Sequence, residues 1–175
     1  HGSTIAILLP DELLPTVPVD MKIAYRGTAL VKLGWKRYQP TDTVNWYPRG
    51  PSAHGATFDA TFRWPKKLDL VASGTHVDGG EKDGVRWEHR TLDIPALYFG
   101  FQIGDFEMDE RTAGHVKLHI AFNRKWQSFV GPELKKLLAS NLESSLAYYE
   151  QIFGPYPFEA PFTVEVTDRD AAKDS

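Results

Sequence analysis

The stretch ATFDATFRWP, residues 56–65, alternates apolar and polar side chains without a break. Successive side chains of a β-strand point to opposite faces, so this alternation predicts a strand with one face on a core and the other in solvent. Pro65 lacks a backbone N–H and is expected to end the strand. The predicted core face carries four apolar residues: Phe58, Ala60, Phe62 and Trp64.

The sequence that follows predicts a hairpin. The segment LDLVASGTHV, residues 68–77, indicates one strand, and VRWEHRTL, residues 85–92, indicates the returning strand. Between them DGGEKDG, residues 78–84, supplies turn chemistry with three glycines and two aspartates. Alternation in the second strand places Trp87 and His89 on one face, which we expect to join the core.

Other short runs extend the β-rich region in both directions. Ile5 to Leu9 is an apolar run, Met21 to Tyr25 alternates, and LYFGFQIGDFEMDE and HVKLHIAF predict further strands over residues 97–122. Seven to eight short strands at this spacing predict an antiparallel β-sandwich or a curved open sheet. We expect one buried core that contains Phe58, Phe62, Trp64, Trp87, Val116, Leu118, Ile120 and Phe122.

The periodicity changes after Gly131-Pro132. From Glu133 to Phe153 the apolar residues recur every three or four positions, which predicts an amphipathic helix. Proline suits a first helical turn, and Gly154-Pro155 suits a helix end. The segment FTVEV, residues 162–166, then predicts one further strand. The predicted fold is therefore mostly β, with a C-terminal helix and one more strand.

Composition excludes several classes of protein. The 175 residues carry a net charge of −3 with no long basic run, which argues against nucleic-acid binding. Cysteine is absent, so disulfides and thiolate chemistry are excluded. No apolar run approaches the ~20 residues needed to cross a bilayer, and no signal peptide is visible. We expect a soluble chain in an unknown compartment, and His1 is set aside as a tag remnant.

Candidate chemical groups do not combine into an active site. His115 and His119 would form a zinc pair on a helix, but the surrounding alternation predicts a strand, where they lie too far apart for one metal. The acidic residues Asp105, Glu107, Asp109 and Glu110 could hold calcium, although a solvated loop is the favoured interpretation. No nucleophile motif or phosphate loop is present.

Aromatic residues offer one binding hypothesis. Trp35, Trp46, Tyr47 and Trp64 could form a platform for a sugar. Aromatic residues of a small β domain more often lie in its core, and that interpretation is favoured.

Three stretches resemble the membrane alanyl aminopeptidase family of zinc metallopeptidases. They are WYPRGPSAHGATFDATFRWPKKLDLVASG at residues 46–74, GDFE at residues 104–107, and YYEQIFGPYPFEAPFTVEV at residues 148–166. The first two resemble elements of the family's N-terminal β domain. The third resembles the helix, turn and strand that open its thermolysin-like catalytic domain.

This resemblance implies a division of the chain. Residues 1–127 would form the all-β domain, whose first strands could lie upstream, and residues 128–175 would begin a truncated catalytic domain. The family's H-E-x-x-H zinc motif is absent from the sequence, so no zinc ligand or catalytic residue can be assigned. Zinc is expected in the full-length enzyme only, and this chain alone is predicted to be inactive.

Three residues are the predicted substrate-facing edge: Tyr47, Pro48 and Arg49. The resemblance also implies a partner, the missing catalytic domain of the same polypeptide, and the helix 133–153 is expected to drive self-association in its absence. The alternative is an independent β-sandwich module for binding or interaction, without peptidase activity.

Overall fold

The computed structural model describes residues 18–40, 46–48, 55–158 and 161–166, with the side chains of residues 129 and 130 excepted. The described elements are β1 (Leu30–Leu33), β2 (Arg37–Pro40), β3 (Ala56–Pro65), β4 (Asp69–Ala72), β5 (Thr75–Lys82), β6 (Val85–Ala96), β7 (Phe101–Gly104), β8 (Phe106–Ala113), β9 (Val116–Asn123), α1 (Arg124–Phe153) and β10 (Phe162–Val166). The predicted fold class is confirmed.

The strands form three sheets. The outer sheet has the order β3-β6-β5, the middle sheet β1-β2-β7-β4, and the helix-side sheet β10-β9-β8. All strand pairs are antiparallel except β10 and β9, which are parallel. A parallel pair needs a long crossover, and α1 is that crossover because it connects β9 to β10.

Apolar packing joins these layers at separate places. Trp64 of β3 packs against Leu70, Ala72 and Ile103 of the middle sheet. A second cluster lies between the helix-side sheet and α1, and it contains Leu118, Ile120, Phe122, Trp126 and Ala139. The single core expected from the sequence is therefore wrong, because the eight predicted residues divide between different layers.

The register of the outer sheet corrects the predicted face of Trp87. Trp87 pairs with Arg63, and His89 pairs with Thr61, so both lie on the face opposite Phe62 and Trp64. Alternation identifies two faces but not which one is buried.

Charged side chains of β6 take the inner face instead. The guanidinium of Arg86 lies 5.5 Å from the Trp64 ring centroid. Arg90 donates to the carbonyl oxygens of Ala72 and Gly74 at 3.1 Å and pairs with Glu88. Burial of these charges is tolerated because each is paired or hydrogen-bonded.

A hairpin forms, but its first strand and its turn differ from the prediction. Residues 68–77 contain β4, which pairs with β7, and only the start of β5, which continues through residues 78–82 where a turn is predicted. The turn between β5 and β6 is Asp83-Gly84, with φ values of 52° and 78°. Positive φ at both central residues is the requirement of a type I′ turn, for which Asp-Gly is favoured.

Two other predicted strands have different outcomes. Met21, Ile23 and Tyr25 belong to no strand and are 50%, 39% and 58% exposed. Their alternation was misleading, because alternation creates a strand only where a neighbouring strand supplies hydrogen bonds. The predicted strand from Ile5 to Leu9 lies outside the described residues.

The helix begins earlier than predicted. Asn123 caps it, and its Oδ1 accepts hydrogen bonds from the backbone nitrogens of Lys125 and Trp126. Gly131 interrupts the helix with φ 69° and ψ 171°, and Pro132 starts the second segment. The predicted boundary at Gly131-Pro132 is thus a kink inside a longer helix. No helix in the described ranges has the length and apolar character required to span a membrane.

Candidate functional site

Tyr47 lies in an aromatic cluster between the outer and middle sheets. Its ring meets Phe58 edge-on at 5.4 Å and Trp46 at 5.0 Å, measured between ring centroids. Trp46 also donates from Nε1 to the carbonyl oxygen of Phe99 at 2.8 Å. Pro48 is exposed, and Arg49 lies outside the described residues. The orientation of these residues toward a substrate remains a prediction.

The same geometry decides the role of the other predicted platform residues. Trp64 is buried, and Trp46 packs against Phe62, Phe99 and Phe101. Trp35 packs beside the helix-side core. These rings pack within the protein, as the favoured interpretation predicted.

A cavity of about 430 Å³ lies between the middle sheet and β10. This volume is within the range of small-molecule pockets. Its wall includes five aromatic residues: Tyr98, Phe101, Tyr156, Phe158 and Phe162. Burial raises the pKa of the Tyr156 hydroxyl, so that hydroxyl stays protonated and neutral near pH 7.

A nearly buried ion pair crosses the same junction. Arg37 Nη1 of β2 lies 3.1 Å from Glu165 Oε1 of β10, and their side chains are only 11% and 10% exposed. Burial raises the pKa of Glu165, while the Arg37 guanidinium opposes that shift. Arg37 Nε and the nearby Gln102 Oε1 are buried without a hydrogen-bond partner. The pair ties the middle sheet to the strand that follows α1.

Three of the four clustered acidic residues lie in β8, and Asp105 lies in the bend before it. Glu107 pairs with Lys135, and Arg111 lies 3.1 Å from Glu143. The hydrogen bond from Lys135 lowers the pKa of Glu107. The interpretation as a loop is therefore wrong for the residues of β8, and these two pairs join β8 to α1.

The histidines lie apart, as the strand prediction required. His115 Nε2 lies 3.3 Å from Glu150, and His119 Nε2 lies 3.9 Å from Glu110. Burial lowers the pKa of His119. Within residues 18–40, 46–48, 55–158 and 161–166, no group of three or more histidine, aspartate or glutamate side chains could hold a metal ion. The described residues do not fit a zinc centre and supply no zinc-dependent step.

Comparison of sequences finds no match for the chain, whereas comparison of structures does. No family model and no curated protein sequence matches the chain. Among solved structures, an M1 zinc metallopeptidase variant from Deinococcus radiodurans bound to a Tyr-Ser-Ala substrate matches with a TM-score of 0.59 and 18% identity, over 79% of this chain and 35% of that one. The chain has the fold of the M1 zinc metallopeptidases over this region.

Further M1 structures agree with this assignment of the fold. The M1 zinc metallopeptidase from Deinococcus radiodurans matches with a TM-score of 0.57, 20% identity, and coverage of 79% of this chain and 35% of that one. A two-domain M1 zinc metallopeptidase variant bound to L-tryptophan gives a TM-score of 0.58 and 20% identity, with coverage of 82% and 36%. The chain therefore spans about a third of the length of the M1 structures that it matches.

The resemblance read from the sequence is confirmed at the level of the M1 fold. The narrower placement among membrane alanyl aminopeptidases is not distinguished by structures at 18–20% identity. Sequence reasoning missed the pair of Arg37 and Glu165, although Glu165 stands out as the one acid within the apolar strand FTVEV. Its partner is 128 positions away in the chain, and no local pattern connects the two.

Proposed function

We propose that this chain is a non-catalytic part of a zinc aminopeptidase of the M1 type. Its sheets would form the β domain that flanks and shapes the active site, and α1 with β10 would open the catalytic domain. The observation that carries the proposal is the parallel pairing of β10 with β9 through α1, within a fold shared with M1 metallopeptidases over 79% of the chain.

The missing partner in this proposal is the remainder of the catalytic domain. The last turns of α1 carry an apolar surface, made by Tyr148, Tyr149, Ile152 and Phe153, which are 58%, 56%, 53% and 80% exposed. Contiguous exposed apolar surface of this kind commonly marks an interface. We assign this surface, named here the α1 patch, to contact with the missing domain, and to self-association when that domain is absent.

The proposal includes the predicted substrate-facing edge, which is made by Tyr47, Pro48 and Arg49. The support for it is that the ring of Tyr47 is held by its contacts with Trp46 and Phe58. A simple turn is the competing interpretation. Substitution of Arg49 by Ala in the full-length protein should change kcat or KM for peptide hydrolysis. Unchanged values of both would show that this edge does not face the substrate.

Reconstitution tests the proposal as a whole. The chain is mixed with a separately expressed downstream region of its natural polypeptide, and hydrolysis of amino-acid anilides is measured with zinc present. We expect activity from the mixture only, and an Ile152→Asp variant of the chain should weaken the assembly. A downstream region that lacks a zinc motif, or that never assembles with the chain, would contradict the proposal.

A further inference from the structure

Trp87 differs from the tryptophans that serve the interior. Trp64 and Trp126 are buried, and Trp46 packs against several rings. The ring contacts between described residues do not include Trp87, which is half-buried on the solvent face of the outer sheet. This face is defined by Trp87 and its neighbours Arg63, His89 and Gly80, and is named here the Trp87 face.

The strand beside Trp87 leaves room for its indole. Gly80 of β5 is the cross-strand partner of Trp87. A Cβ atom added at Gly80 would lie 2.9 Å from Trp87 Nε1 and 3.6 Å from its Cζ2. The indole therefore covers the position where any other residue would place its side chain. Contact of an aromatic ring with an edge glycine stabilises a hairpin, and Trp87 remains partly exposed in this arrangement.

Two hydrogen-bond donors on the Trp87 face have no acceptor among the described residues. Trp87 Nε1 makes no hydrogen bond to a described residue, and it is not among the buried unsatisfied side-chain atoms, so it is open to solvent. Arg63, directly across from Trp87, is exposed and forms no ion pair with a described residue. Its guanidinium has five N–H donors in a fixed arrangement.

Acceptors and balancing charges lie on the same face. Asp59 lies 2.8 Å from His89 Nε2, and its carboxylate is 77% exposed. Asp78 of β5 pairs with His89, and Lys82 lies two positions beyond Gly80, so both point to this face. The cations Arg63 and Lys82 are thus matched by two carboxylates. A balanced set favours a neutral polar ligand over a strongly charged one.

We propose that the Trp87 face binds a neutral saccharide. One face of a pyranose ring is a flat array of C–H groups that suits the exposed side of an indole. Sugar hydroxyls need donors and acceptors together, and Arg63, the indole N–H and Asp59 supply both. This inference is independent of the proposed peptidase role, since the Trp87 face is built from β3, β5 and β6 alone.

The test uses the whole chain and four soluble probes: cellohexaose, xylohexaose, maltohexaose and chitohexaose. Binding is followed by the indole N–H resonances in NMR spectra and by calorimetry. For at least one probe we expect a dissociation constant on the order of 1 mM and a shift of the Trp87 resonance. Trp87→Ala should weaken binding by about tenfold or more, and Trp87→Tyr should retain part of it.

Two further variants separate the face from general surface effects. Gly80→Ala pushes against the indole and should weaken binding while thermal unfolding shows a folded chain. Tyr25→Ala removes a ring that is 58% exposed and lies outside both the Trp87 face and the cavity, and should leave binding unchanged. Absence of binding to all four probes, or binding that survives Trp87→Ala, would overturn the proposal.

Discussion

Asn123 joins three parts of the molecule through one buried side chain. Its Oδ1 accepts hydrogen bonds from Lys125 N at 3.0 Å and Trp126 N at 3.3 Å, which caps α1. Its Nδ2 donates to the carbonyl oxygen of Trp35 at 3.2 Å, in the turn between β1 and β2. The side chain is completely buried, so water cannot replace these bonds if they are lost.

We therefore expect Asn123→Ala to lower the free energy of unfolding by roughly 2–3 kcal/mol, from a lost cap and a lost buried donor. Asn123→Asp keeps the acceptor of the cap but cannot donate to the carbonyl oxygen of Trp35. The stability of this variant should therefore lie between that of the wild type and that of Asn123→Ala. Asn141→Ala on the exposed helix surface is the matched control and should change little. If Asn123→Ala and Asn141→Ala unfold at the same urea concentration, the cap at Asn123 does not stabilise the fold.

The two tryptophans of the outer sheet provide a second test at this scale. Trp64 is 2% exposed among Leu70, Ala72 and Ile103, whereas Trp87 faces solvent. Trp64→Ala should cost about 3–5 kcal/mol as a large core truncation. Trp87→Ala should cost less than half of that. Similar losses in chemical denaturation would mean that the register of β3 and β6 is misassigned.

At the scale of elements, β10 depends on the pair of Arg37 and Glu165. Apolar contacts hold α1 to the helix-side sheet, but this ion pair joins β10 to the middle sheet. Breaking a buried pair is costly because the remaining charge is left without a partner. A single substitution at Arg37 or Glu165 should therefore weaken the contact between β10 and the middle sheet.

Glu165→Ala should destabilise the chain by roughly 3–5 kcal/mol, because it removes both the charge and the oxygen that accepts from the buried Arg37 guanidinium. Adding Arg37→Met should recover part of the loss. The control is Glu143→Ala, whose native pair with Arg111 is about 30% exposed on both sides and should contribute less than about 1 kcal/mol. A loss for Glu165→Ala no larger than this control would contradict the structural role of the pair.

The raised pKa of Glu165 adds a pH dependence with a definite sign. The folded state binds the proton more tightly than the unfolded state, so this group's contribution is present below the ordinary carboxyl pKa and is lost as pH rises through the raised folded value. Denaturation of the wild-type chain across that interval should show a falling free energy of unfolding. The same scan of Glu165→Gln should be flatter, and identical slopes would refute the assignment.

The sequence predicts those features that depend on neighbouring residues, and not those that depend on contacts between distant parts of the chain. The alternation of residues 56–65 placed β3 correctly, but the turn predicted over residues 78–84 is confined to Asp83-Gly84, because residues 78–82 lie in β5. The face of Trp87 was not predictable, because the charged residues of the inner face find partners that no local pattern shows. Arg86 pairs with Asp69, and Arg90 donates to the carbonyl oxygens of Ala72 and Gly74. Nor could alternation show that Met21, Ile23 and Tyr25 lack a neighbouring strand. For the candidate site, the substrate-facing role of Tyr47, Pro48 and Arg49 stays a prediction. The cavity could not be predicted, because it needs β10 beside the middle sheet.

At the scale of the whole molecule, the α1 patch is the largest departure from a self-contained domain. The buried side of α1 packs on the helix-side sheet through Trp126, Leu138, Ala139 and Leu142. Its last turns leave the α1 patch uncovered, including Phe153 at 80% exposure. The helix is thus docked on its own chain, and one side of its last turns stays exposed.

We expect the isolated chain to self-associate through the α1 patch, because association removes apolar surface from water. Sedimentation velocity over a concentration series should show a rising average mass, and Tyr149→Ser with Phe153→Ser should suppress it. Lys66→Ser on the exposed end of the outer sheet is the control. A wild-type chain that remains monomeric at every concentration would contradict this expectation.

The most direct test of the central claim compares two proteins in one assay. Hydrolysis of chromogenic amino-acid anilides is measured with added zinc for this chain alone and for the longer polypeptide that the proposed function predicts. The account predicts no turnover by the chain, since its described residues hold no metal-ligand group, and chelator-sensitive turnover by the longer polypeptide. Chelator-sensitive turnover by the pure chain, or an inactive longer polypeptide, would contradict the account.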